Sequence, residues 1–536
     1  MATSEEHDRL GHWSSWRTVN DRQLGHRGRT IVGILLAVGS IAALYFRFWT
    51  NSLLWLDEVQ SVNLASKPVS QIPGLLREDG APPLYYVLLH FWMSAFGTSD
   101  HAVRSLSGVF SVVTVVLTYF IVKRVWGSEV GLTSAALLGS SSFAVYYATE
   151  SRMYALVMFV VVLGIWRLAR LYEAPTVANF VWFGICCAAL VYTQYWALYL
   201  FAVLGVWFVA GATRSGDALV RRSSAMAIGS LGLAGVLFLP WFPSFLYQHA
   251  HTGTPWGSPP NFLTAVVAVF HFHANQAVQV PLSDLRQRAM EAVFIVLFIL
   301  ALFGTSQAQK KGWLTWRPQK KGTFLAWVVF GTLVLGVVVS HFANTAYTPR
   351  YGAVVYVPLI VFMAVGIQFF TNPVLRVSIV VILVAGFFIG SYQESHTQRS
   401  QAAQAVSAFE AHGSTGDVAV FCPDELGPTV VRILPSGKIT SVGYPRFTYP
   451  SIVNWVNYNQ VLNATSPTAF VHRAENVAGT HHLWLIWAPG YGASGPSCTN
   501  VAQAFNQLPG WSGHIWVRPD TNAYFQSMTV IEYTKN

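Results

Sequence analysis

Long apolar stretches recur along most of this chain, and they constrain its fold more than any other feature. Each is about 17–22 residues long, the length of an α-helix that crosses the roughly 30 Å hydrocarbon core of a bilayer. Because lipid offers the backbone no hydrogen-bond partners, we predict that each stretch is a transmembrane helix. The stretches are residues 31–50, 104–123, 130–147, 153–171, 176–194, 196–213, 224–243, 290–307, 323–342, 352–370 and 374–391.

The composition supports the same interpretation. Of the 536 residues, 53% are hydrophobic and only 10% are charged, whereas a soluble protein carries about 25% charged residues. We therefore predict a mainly α-helical, polytopic protein of the cell membrane with about 11 transmembrane helices. The net charge of +10 comes from short basic clusters between the apolar stretches. Such clusters orient membrane loops, so we expect the lipid bilayer as a partner and no nucleic acid.

One short aromatic segment, Pro82–Phe96, determines the predicted orientation. If it does not cross the membrane, the basic amino terminus and the later Lys/Arg clusters at 123–124, 167–170, 214–222 and 310–321 all face the cytoplasm, as the positive-inside rule requires. If it crosses, the amino terminus and the later clusters lie on opposite sides. We therefore predict that Pro82–Phe96 is an interfacial helix on the outer face.

This orientation divides the chain into three parts. Residues 1–30 form a cytoplasmic tail, and residues 31–394 form the transmembrane domain with an outer loop at 51–103. Residues 395–536 lie outside the cell and are less hydrophobic. A segment of this length is large enough to form its own core.

The carboxy-terminal part contains both kinds of secondary structure in its sequence pattern. Apolar, strand-like runs occur at 417–421 and 483–487, and helical stretches occur near 401–411 and 501–508. This mixture predicts a small extracytoplasmic α/β domain.

Four cysteines divide between the two predicted domains. Cys186 and Cys187 lie in a predicted span, where they are expected to be inert apolar fillers. Cys422 and Cys498 are the two cysteines of the extracytoplasmic domain, and an oxidising compartment allows a disulfide between them. The alternative is a pair of unlinked buried thiols.

Motifs for metal or nucleotide binding are absent from the sequence. There is no CxxC pair, HExxH motif, His/Cys cluster with ligand spacing or GxxxxGK[ST] loop. We therefore predict no cofactor and no metal site, and the pattern leaves dependence on a divalent metal open.

The adjacent carboxylates Asp57 and Glu58 follow the first predicted span. Ionisable residues at the end of a span are costly to keep there and indicate chemistry or ligand binding. The alternative is an interaction with the dipole of a helix amino terminus, which accounts for one carboxylate better than for two.

Three further charged motifs share the predicted outer face. Arg104 opens the second span, and its alternative role is to reach the lipid headgroups. Glu150 and Arg152 occupy a tight turn between two spans, where they could also simply pair with each other. Arg350 precedes Tyr351 at the start of another span. An arginine fork beside a tyrosine hydroxyl suits a phosphate, because the guanidinium offers parallel charge-assisted hydrogen bonds.

Carboxylates and arginines at one membrane surface indicate a reaction with a lipid-anchored phosphate donor. The donor tail would lie in the bilayer and its phosphate against the arginines, while a carboxylate deprotonates an acceptor hydroxyl. The absence of a nucleotide motif agrees with a sugar supplied on a lipid phosphate outside the cell.

An ordered series of motifs over residues 30–390 resembles the GT-C glycosyltransferases, and within them the group of protein O-mannosyltransferases and aminoarabinose transferases (glycosyltransferase family 39-like). The motifs are Trp55-Leu56-Asp57-Glu58, Ala81-Pro82-Pro83-Leu84-Tyr85-Tyr86, Arg104-Ser105-Leu106-Ser107-Gly108, Tyr147-Ala148-Thr149-Glu150-Ser151-Arg152-Met153-Tyr154 and Arg350-Tyr351. Residues 395–536 resemble the carboxy-terminal domains of actinobacterial relatives.

The resemblance implies a GT-C fold and an inverting single displacement from a polyprenyl-phosphate sugar, with mannose as the commonest sugar of the group. It implies Asp57 as the general base, with Glu58 orienting the acceptor or sharing that role. The acceptor is a glycan, a glycolipid or a protein. Tyr85, Tyr86 and Trp92 are expected to form an apolar wall. The residues implied in binding the donor phosphate or substrate are Arg104, Glu150, Arg152, Tyr154, Arg350, Tyr351, Tyr85 and Tyr86.

Two other functions are compatible with a polytopic membrane protein. A transporter or flippase of lipid-linked saccharides would place its polar site near the bilayer midplane, in repeated halves, whereas the charges here lie at span ends without a visible repeat. A non-catalytic assembly protein does not explain the acidic pair and the two arginine-bearing turns. We therefore predict a membrane glycosyltransferase.

Overall fold

The structure is a computed structural model that describes residues 39–257, 259–261, 285–304, 320–370, 372–435, 437–489 and 494–536. The predicted cytoplasmic tail at residues 1–30 and the basic residues Lys310 and Lys311 lie outside the described residues.

Up to residue 396, the described part of the chain is mainly helical. In chain order the described helices are α1 (39–48), α2 (Leu56–Ala65), α3 (Ile72–Asp79), α4 (Leu84–Phe96), α5 (Asp100–Trp126), α6 (Ser128–Ser140), α7 (Ser142–Ala148), α8 (Tyr154–Glu173), α9 (Val177–Val191), α10 (Ala197–Arg214), α11 (Ala218–Phe238), α12 (Phe242–His251), α13 (Leu285–Phe303), α14 (Lys320–Phe342), α15 (Ala353–Ile367) and α16 (Pro373–His396). A 3₁₀ helix, Pro349–Gly352, precedes α15.

Six of the described helices are long and apolar enough to cross a membrane, namely α5, α8, α10, α14, α15 with its 3₁₀ turn, and α16. The pair α11 and α12, bent by 78°, makes a seventh candidate if it is counted as one span. The predicted spans at 176–194 and 290–307 correspond to shorter apolar helices. The prediction of a mainly α-helical, multi-span membrane protein is confirmed.

The predicted span at 130–147 is not one continuous helix. It breaks at Ser141, where α6 ends and α7 begins. The Ser141 hydroxyl accepts a hydrogen bond from the Ala144 backbone N–H at 3.2 Å and thereby caps α7. The prediction of an unbroken span was wrong, because the hydrophobicity of a stretch does not show where a serine side chain bonds to the backbone and caps a new helix.

Three short helices, α2, α3 and α4, lie between α1 and the first long apolar helix. The segment predicted as an interfacial helix is helical over α4, which packs against α2 and α5. The helix ends at Gly97, whose φ of 85° favours glycine. This arrangement places the acidic pair of α2 beside the amino-terminal end of α5.

The carboxy-terminal domain contains both strands and helices. The elements are β1 (Gln398–Ser400), α17 (Ala402–His412), β2 (Val418–Cys422), α18 (Gly427–Ile433), β3 (Thr440–Gly443), α19 (Tyr458–Ala464), α20 (Pro467–Ala478), β4 (Leu483–Trp487), α21 (Ser494–Asn506), β5 (Trp511–Val517), β6 (Tyr524–Gln526) and β7 (Thr529–Lys535). Five of the strands form a mixed sheet in the order β3-β2-β4-β7-β5. The inner strand β2 is parallel to β3 and β4, whereas β7 is antiparallel to β4 and β5.

Side chains along β2 point alternately to the two faces of this sheet and contribute to a hydrophobic core on each face. Val418 and Val420 point into one core, and Ala419 and Phe421 point into the other. The predicted disulfide is present and joins Cys422 at the end of β2 to Cys498 in α21. Cys186 and Cys187 are free thiols. The prediction of a carboxy-terminal domain with a small sheet is confirmed.

The carboxy-terminal domain docks on the end of the helix bundle that carries α2. The side-chain amide of Gln60 exchanges two hydrogen bonds of 2.9 Å with the backbone of Val453. Asn63 donates to the carbonyl oxygen of Ser451 at 2.7 Å. The helix that bears the acidic pair is therefore part of the interface between the two parts of the chain.

Candidate active site

The carboxylate of Asp57 lies at the centre of a cluster of charged side chains. Its Oδ2 accepts a hydrogen bond from Nη1 of Arg350 at 2.5 Å and lies 3.9 Å from Nε of Arg152. All three side chains are largely buried but keep 12–19% of their surface exposed. The fold thus brings together residues that are up to 293 positions apart in the chain.

Contacts from its own turn and from a tryptophan hold Arg350 in front of Asp57. Nε of Arg350 donates to Oγ1 of Thr348 at 3.1 Å, and the guanidinium lies over the Trp256 ring, 4.9 Å from its centre. The neighbouring Tyr351 stacks on Trp196 with 5.4 Å between ring centres. The predicted pair of arginine and tyrosine therefore stands at the edge of the Asp57 cluster.

Arg152 reaches the same cluster from the turn between α7 and α8. Its Nη1 donates to the hydroxyl groups of Tyr86 at 3.0 Å and Ser61 at 3.2 Å. Its Nε is buried and has no hydrogen-bond partner among the described residues. A buried N–H group without a partner is costly, so this donor is available to an anion placed beside Asp57.

Asp79 is a functional candidate that the sequence reasoning missed. It accepts hydrogen bonds from Gln60 at 2.9 Å and from the Tyr86 hydroxyl at 3.4 Å. Burial raises the pKa of Asp79, while the charge of Arg152 acts in the opposite direction. An acidic residue before a helix-ending glycine gives no signal in the sequence, because such residues are usually exposed. Its place behind Tyr86 depends on how α3 and α4 pack.

Glu58, next to Asp57 in the chain, lies in a different environment. Its carboxylate is fully buried and accepts bonds from Arg104 Nε at 2.7 Å, Arg104 Nη2 at 2.6 Å and the Ser151 N–H at 3.0 Å. Nη1 of Arg399 lies 3.5 Å away. Burial favours the protonated form, but the charges of Arg104 and Arg399 outweigh it and lower the pKa of Glu58. The structure therefore places Glu58 in an ion-pair network behind Asp57.

Arg104 belongs to that network rather than to the Asp57 cluster. Besides its fork on Glu58, it donates to the backbone oxygens of Ser52 at 2.6 Å and Leu53 at 3.0 Å. These bonds involve all of its guanidinium nitrogens and tie α5 to the chain before α2.

Arg399 was also missed by the sequence reasoning. It lies in β1, just after the last apolar helix, and is buried. It donates to both the carbonyl oxygen and the hydroxyl of Thr149 at 2.8 Å and lies over the Tyr146 ring at 4.3 Å. A charged residue directly after a span was a usable signal. Its partners could not be predicted, because they are about 250 residues away.

Glu150 lies beside this network, with only one of its oxygens bonded. Oε1 accepts from the indole N–H of Trp55 at 2.9 Å, whereas Oε2 is buried without a hydrogen-bond partner among the described residues. Burial raises the pKa of Glu150 to about 7, and Arg399 opposes that rise. Glu150 therefore titrates near neutral pH.

The predicted aromatic residues occupy different places around the cluster. The hydroxyl of Tyr85 is buried and pairs with Ser107 at 3.0 Å, and Tyr154 is buried against the Tyr147 ring at 4.6 Å. The indole of Trp92 donates to the Ala102 backbone at 2.9 Å, so it binds α5 rather than the charged cluster. Of the three residues proposed as an apolar wall, only Tyr86 contacts the charged cluster directly, through Arg152.

A second acidic pair, Asp424 and Glu425, approaches Asp57 from the carboxy-terminal domain. The carboxylate of Asp424 accepts a bond from the Tyr458 hydroxyl at 2.6 Å. Burial raises the pKa of Glu425, and the charges of Asp424 and Asp57 raise it further. The sequence reasoning missed this pair, although its signal was present: adjacent acidic residues that directly follow a buried strand.

The cluster contains the groups needed for two tasks. Asp57 is a partly exposed carboxylate that can accept a proton, and Arg152 and Arg350 offer N–H donors to an anion. Among the residues that the structure describes, no group of three or more His, Cys, Asp or Glu side chains is arranged to hold a metal ion.

Known proteins resemble this chain in part of the sequence and in the fold. Residues 80–242 match the family model described as dolichyl-phosphate-mannose-protein mannosyltransferase. The fold is similar to ArnT from Cupriavidus metallidurans, with a TM-score of 0.60 for its apo structure and 0.57 for the structure bound to undecaprenyl phosphate. In both comparisons the identity is 12%, and 94% of this chain and 98% of ArnT are covered. No curated protein matches the sequence.

The comparisons with solved structures show the fold. The chain has the fold of the GT-C superfamily of integral-membrane glycosyltransferases, as the resemblance of its motifs predicted.

Proposed function

We propose that this protein transfers a sugar from a polyprenyl-phosphate donor to an acceptor hydroxyl at the outer face of the cell membrane. The observation that carries the proposal is the cluster in which Asp57 meets the two arginines, Arg152 and Arg350. A base and a phosphate clamp next to each other are what such a transfer requires.

The donor phosphate is assigned to the two arginines. The guanidinium of Arg350 lies beside Asp57. The Nε–H group of Arg152, near the same carboxylate, is buried and has no hydrogen-bond partner among the described residues. Guanidinium groups bind phosphate through parallel charge-assisted hydrogen bonds. The similarity in fold to ArnT, whose structure has been determined with undecaprenyl phosphate, supports a lipid phosphate as the donor.

A donor phosphate and Asp57 compete for Arg350. Asp57 accepts a hydrogen bond of 2.5 Å from this arginine, and a phosphate that takes over the fork removes that counter-charge from the carboxylate. A carboxylate oxygen released from this hydrogen bond is free to accept the proton of an acceptor hydroxyl. Donor binding therefore prepares the base, and we expect the donor to bind before the acceptor is deprotonated.

In the proposed reaction Asp57 removes the proton from the acceptor hydroxyl. The acceptor oxygen forms a bond to the anomeric carbon, and the bond from that carbon to the phosphate oxygen breaks. Polyprenyl phosphate leaves with the electron pair, and Arg152 and Arg350 stabilise the charge that develops on it. One displacement inverts the anomeric configuration. Glu58 positions Asp57 through its ion pair with Arg104, and the turn of Arg152 through the hydrogen bond that it accepts from the Ser151 N–H.

Mannose is the sugar that we propose first, because residues 80–242 match a family model described by mannosyl transfer to protein. A pentose is the alternative, since a change of sugar requires only changes in the pocket.

The proposal is tested by donor turnover. The purified full-length protein is given undecaprenyl-phosphate mannose or an undecaprenyl-phosphate pentose, together with membrane extracts as acceptor, and released undecaprenyl phosphate is measured. We expect release with one donor, and none with Asp57→Asn. Glu410→Gln, a change at an exposed carboxylate of the carboxy-terminal domain, serves as the matched control and should behave as wild type. Movement of the lipid across vesicles without release would instead identify a flippase.

A further inference from the structure

The carboxyl ends of β2 and β3 form an edge of the carboxy-terminal sheet that has no role in the function proposed above. The two strands are parallel neighbours and end at Cys422 and Gly443. Ligands of open α/β sheets bind in the crevice beyond the carboxyl ends of parallel strands. Here Asp424 and Glu425 follow β2, and they occupy the position in which such a domain usually binds a ligand.

This edge faces the helix that carries Asp57. Val453, in the segment that follows β3, pairs with Gln60 of α2. Val453 and Tyr458 also form a small hydrophobic cluster with Trp55 and Leu56, the two residues before Asp57. Arg152 and Arg350, by contrast, reach Asp57 from the helix bundle. Helix α2 therefore contacts the arginines through Asp57 and the edge of the sheet through Gln60.

Glu425 presents an unused polar atom at this interface. Its side chain is 1% exposed, and its Oε2 has no hydrogen-bond partner among the described residues. Asp57 is among the charges that act on it. A buried carboxyl oxygen without a partner is unfavourable unless a ligand supplies one. The neighbouring Asp424 is held by the Tyr458 hydroxyl at 2.6 Å.

We propose that the carboxyl edge of the β2–β3 pair is the acceptor subsite, with Glu425 as its recognition residue and a neutral, polyhydroxylated glycan as its ligand. This inference rests on the proposed function, because the glycan bound at this subsite is the acceptor that Asp57 deprotonates in the proposed reaction. Carboxyl groups accept and donate hydrogen bonds to sugar hydroxyls. The half-buried Trp455, whose ring centre lies 5.3 Å from that of Tyr458, adds an aromatic face for the sugar ring.

The chemistry of the edge favours neutral acceptors. Burial raises the pKa of Glu425 and favours its neutral carboxyl group, which both donates and accepts hydrogen bonds, as a sugar hydroxyl does. A phosphate or carboxylate of an acidic glycan would have to leave water beside the buried carboxyl groups of Asp424 and Glu425 at a high free-energy cost. A neutral glycan has no such cost and can satisfy the free oxygen of Glu425.

The subsite is tested by equilibrium binding to the purified full-length protein. The probes are neutral mannose and arabinose oligosaccharides, the same oligosaccharides carrying a phosphate, and Ser/Thr-rich peptides. We expect wild type to bind at least one neutral oligosaccharide and its phosphorylated form at least tenfold more weakly. Glu425→Met, which keeps the length of the side chain but not its hydrogen bonds, should weaken binding at least tenfold. Glu425→Gln should restore most of it.

Stability measurements separate recognition from a structural role. Because Glu425→Met removes a buried polar group that has an unused oxygen, its melting temperature should stay the same or rise. Glu410→Met, at an exposed carboxylate of the same domain, is the control and should change neither binding nor stability. Tyr458→Phe removes the donor to Asp424 and should weaken binding less than Glu425→Met.

The outcomes distinguish this inference from the proposed function. Equal glycan binding by wild type and Glu425→Met, binding of peptides alone, or a preference for phosphorylated glycans would overturn the subsite. If Glu425→Met loses glycan binding while wild type shows no donor turnover, the acceptor subsite is supported and the transferase function is rejected. If wild type turns over the donor while Glu425→Met has an unchanged acceptor KM, the transferase function is supported and the acceptor subsite is rejected.

Discussion

Asp57 and Glu58 are neighbours in the chain but have different surroundings. Successive residues of an α-helix are separated by about 100° around its axis, so α2 points the two carboxylates in different directions. Asp57 is partly exposed and meets Arg350, whereas Glu58 is fully buried between Arg104 and Arg399. The same residue pattern therefore supplies one partly exposed carboxylate and one that is fully buried and paired.

Substitution of the two carboxylates should separate chemistry from stability. Asp57→Asn is nearly isosteric and should reduce turnover by about 10²–10⁴, the contribution of a general base, with little change in melting temperature. Glu58→Gln leaves two buried arginines without a full counter-charge and should cost roughly 3–5 kcal/mol of stability. Turnover and thermal unfolding are measured on the same preparations. More than a tenth of wild-type turnover in Asp57→Asn would exclude Asp57 as the base.

The arginines of the cluster should differ from lysine in donor binding. A lysine carries a point charge and cannot copy a bidentate fork on phosphate. Arg350→Lys and Arg152→Lys should each raise the donor KM about tenfold or more, because hydrogen bonds to charged groups contribute about 1.5–3 kcal/mol. Arg214→Lys, at the exposed end of α10, is the control. An unchanged donor KM and kcat in both variants would contradict the phosphate clamp.

Glu150 should make the stability of the protein depend on pH. Burial raises its pKa to about 7, compared with about 4.3 in an unfolded chain. The folded state therefore holds this proton more tightly, and ionisation costs stability progressively from about pH 4 to pH 7. Glu150→Gln stays neutral and should be up to about 4 kcal/mol more stable than wild type above pH 7. At pH 4 the two should be equal.

The measurement for Glu150 is the melting temperature between pH 4 and pH 8. Glu410→Gln, an exposed carboxylate with the same chemical change, should follow wild type at every pH. A constant difference between Glu150→Gln and wild type over the whole range would show that the ionisation of Glu150 has no part in it.

At the scale of elements, a short strand links the carboxy-terminal domain to the turn that carries Arg152. Arg399 in β1 binds Thr149 through two hydrogen bonds and approaches Glu58. Thr149 begins the turn that carries Arg152, and the Ser151 N–H of this turn also binds Glu58. The position of Arg152 therefore depends on a residue that lies beyond the last apolar helix.

Arg399→Lys should loosen this turn. A lysine cannot make both bonds to Thr149, and a buried oxygen that loses its partner costs about 1–3 kcal/mol. We expect a lower melting temperature and a donor KM raised several-fold. Arg432→Lys is the matched control, because Arg432 also joins the carboxy-terminal domain to the bundle, at Asp100 and Thr98, but does not contact the turn. Equal effects of both variants would assign the loss to domain docking in general.

The helices could be predicted from the sequence, because the length of an apolar stretch is a local property of the chain. The motifs could be predicted as well, because each is a short run of adjacent residues. Asp57, Arg152 and Arg350 were expected together, and the fold brings both arginines within 4 Å of the Asp57 carboxylate. The break at Ser141 and the partners of Arg399 could not be predicted. They depend on a serine cap and on a contact between segments about 250 residues apart.

At the scale of the whole molecule, paired charged groups lie at both ends of the bundle. Helix α8 begins beside Arg152 and ends with Arg170 and Glu173, about 30 Å away for its 20 residues. Glu173 binds Arg124 at the end of α5 at 2.8 Å, so the far ends of the two helices meet. This separation is the length of a bilayer core, and it agrees with basic clusters on the cytoplasmic side.

The predicted orientation is tested with single cysteines in a variant that lacks Cys186 and Cys187. Labels at Thr98, before α5, and at Asn522, in the carboxy-terminal domain, should react with an impermeant reagent in intact cells. A label at Gly216 should react only after the membrane is opened. All three positions are exposed. Arg432 donates to the Thr98 carbonyl oxygen at 2.8 Å, so the first two positions must share one side.

Gly216 belongs on the other side because of the length of α10. This helix begins next to Trp196, which stacks on Tyr351 beside the Asp57 cluster, and its 18 residues extend about 27 Å before the turn at Gly216. Labelling of Gly216 in intact cells with protection of Thr98 would reverse the orientation of the bundle. Asp57, Arg152 and Arg350 would remain together, but they would face the cytoplasm. A transfer at the outer face would then be impossible.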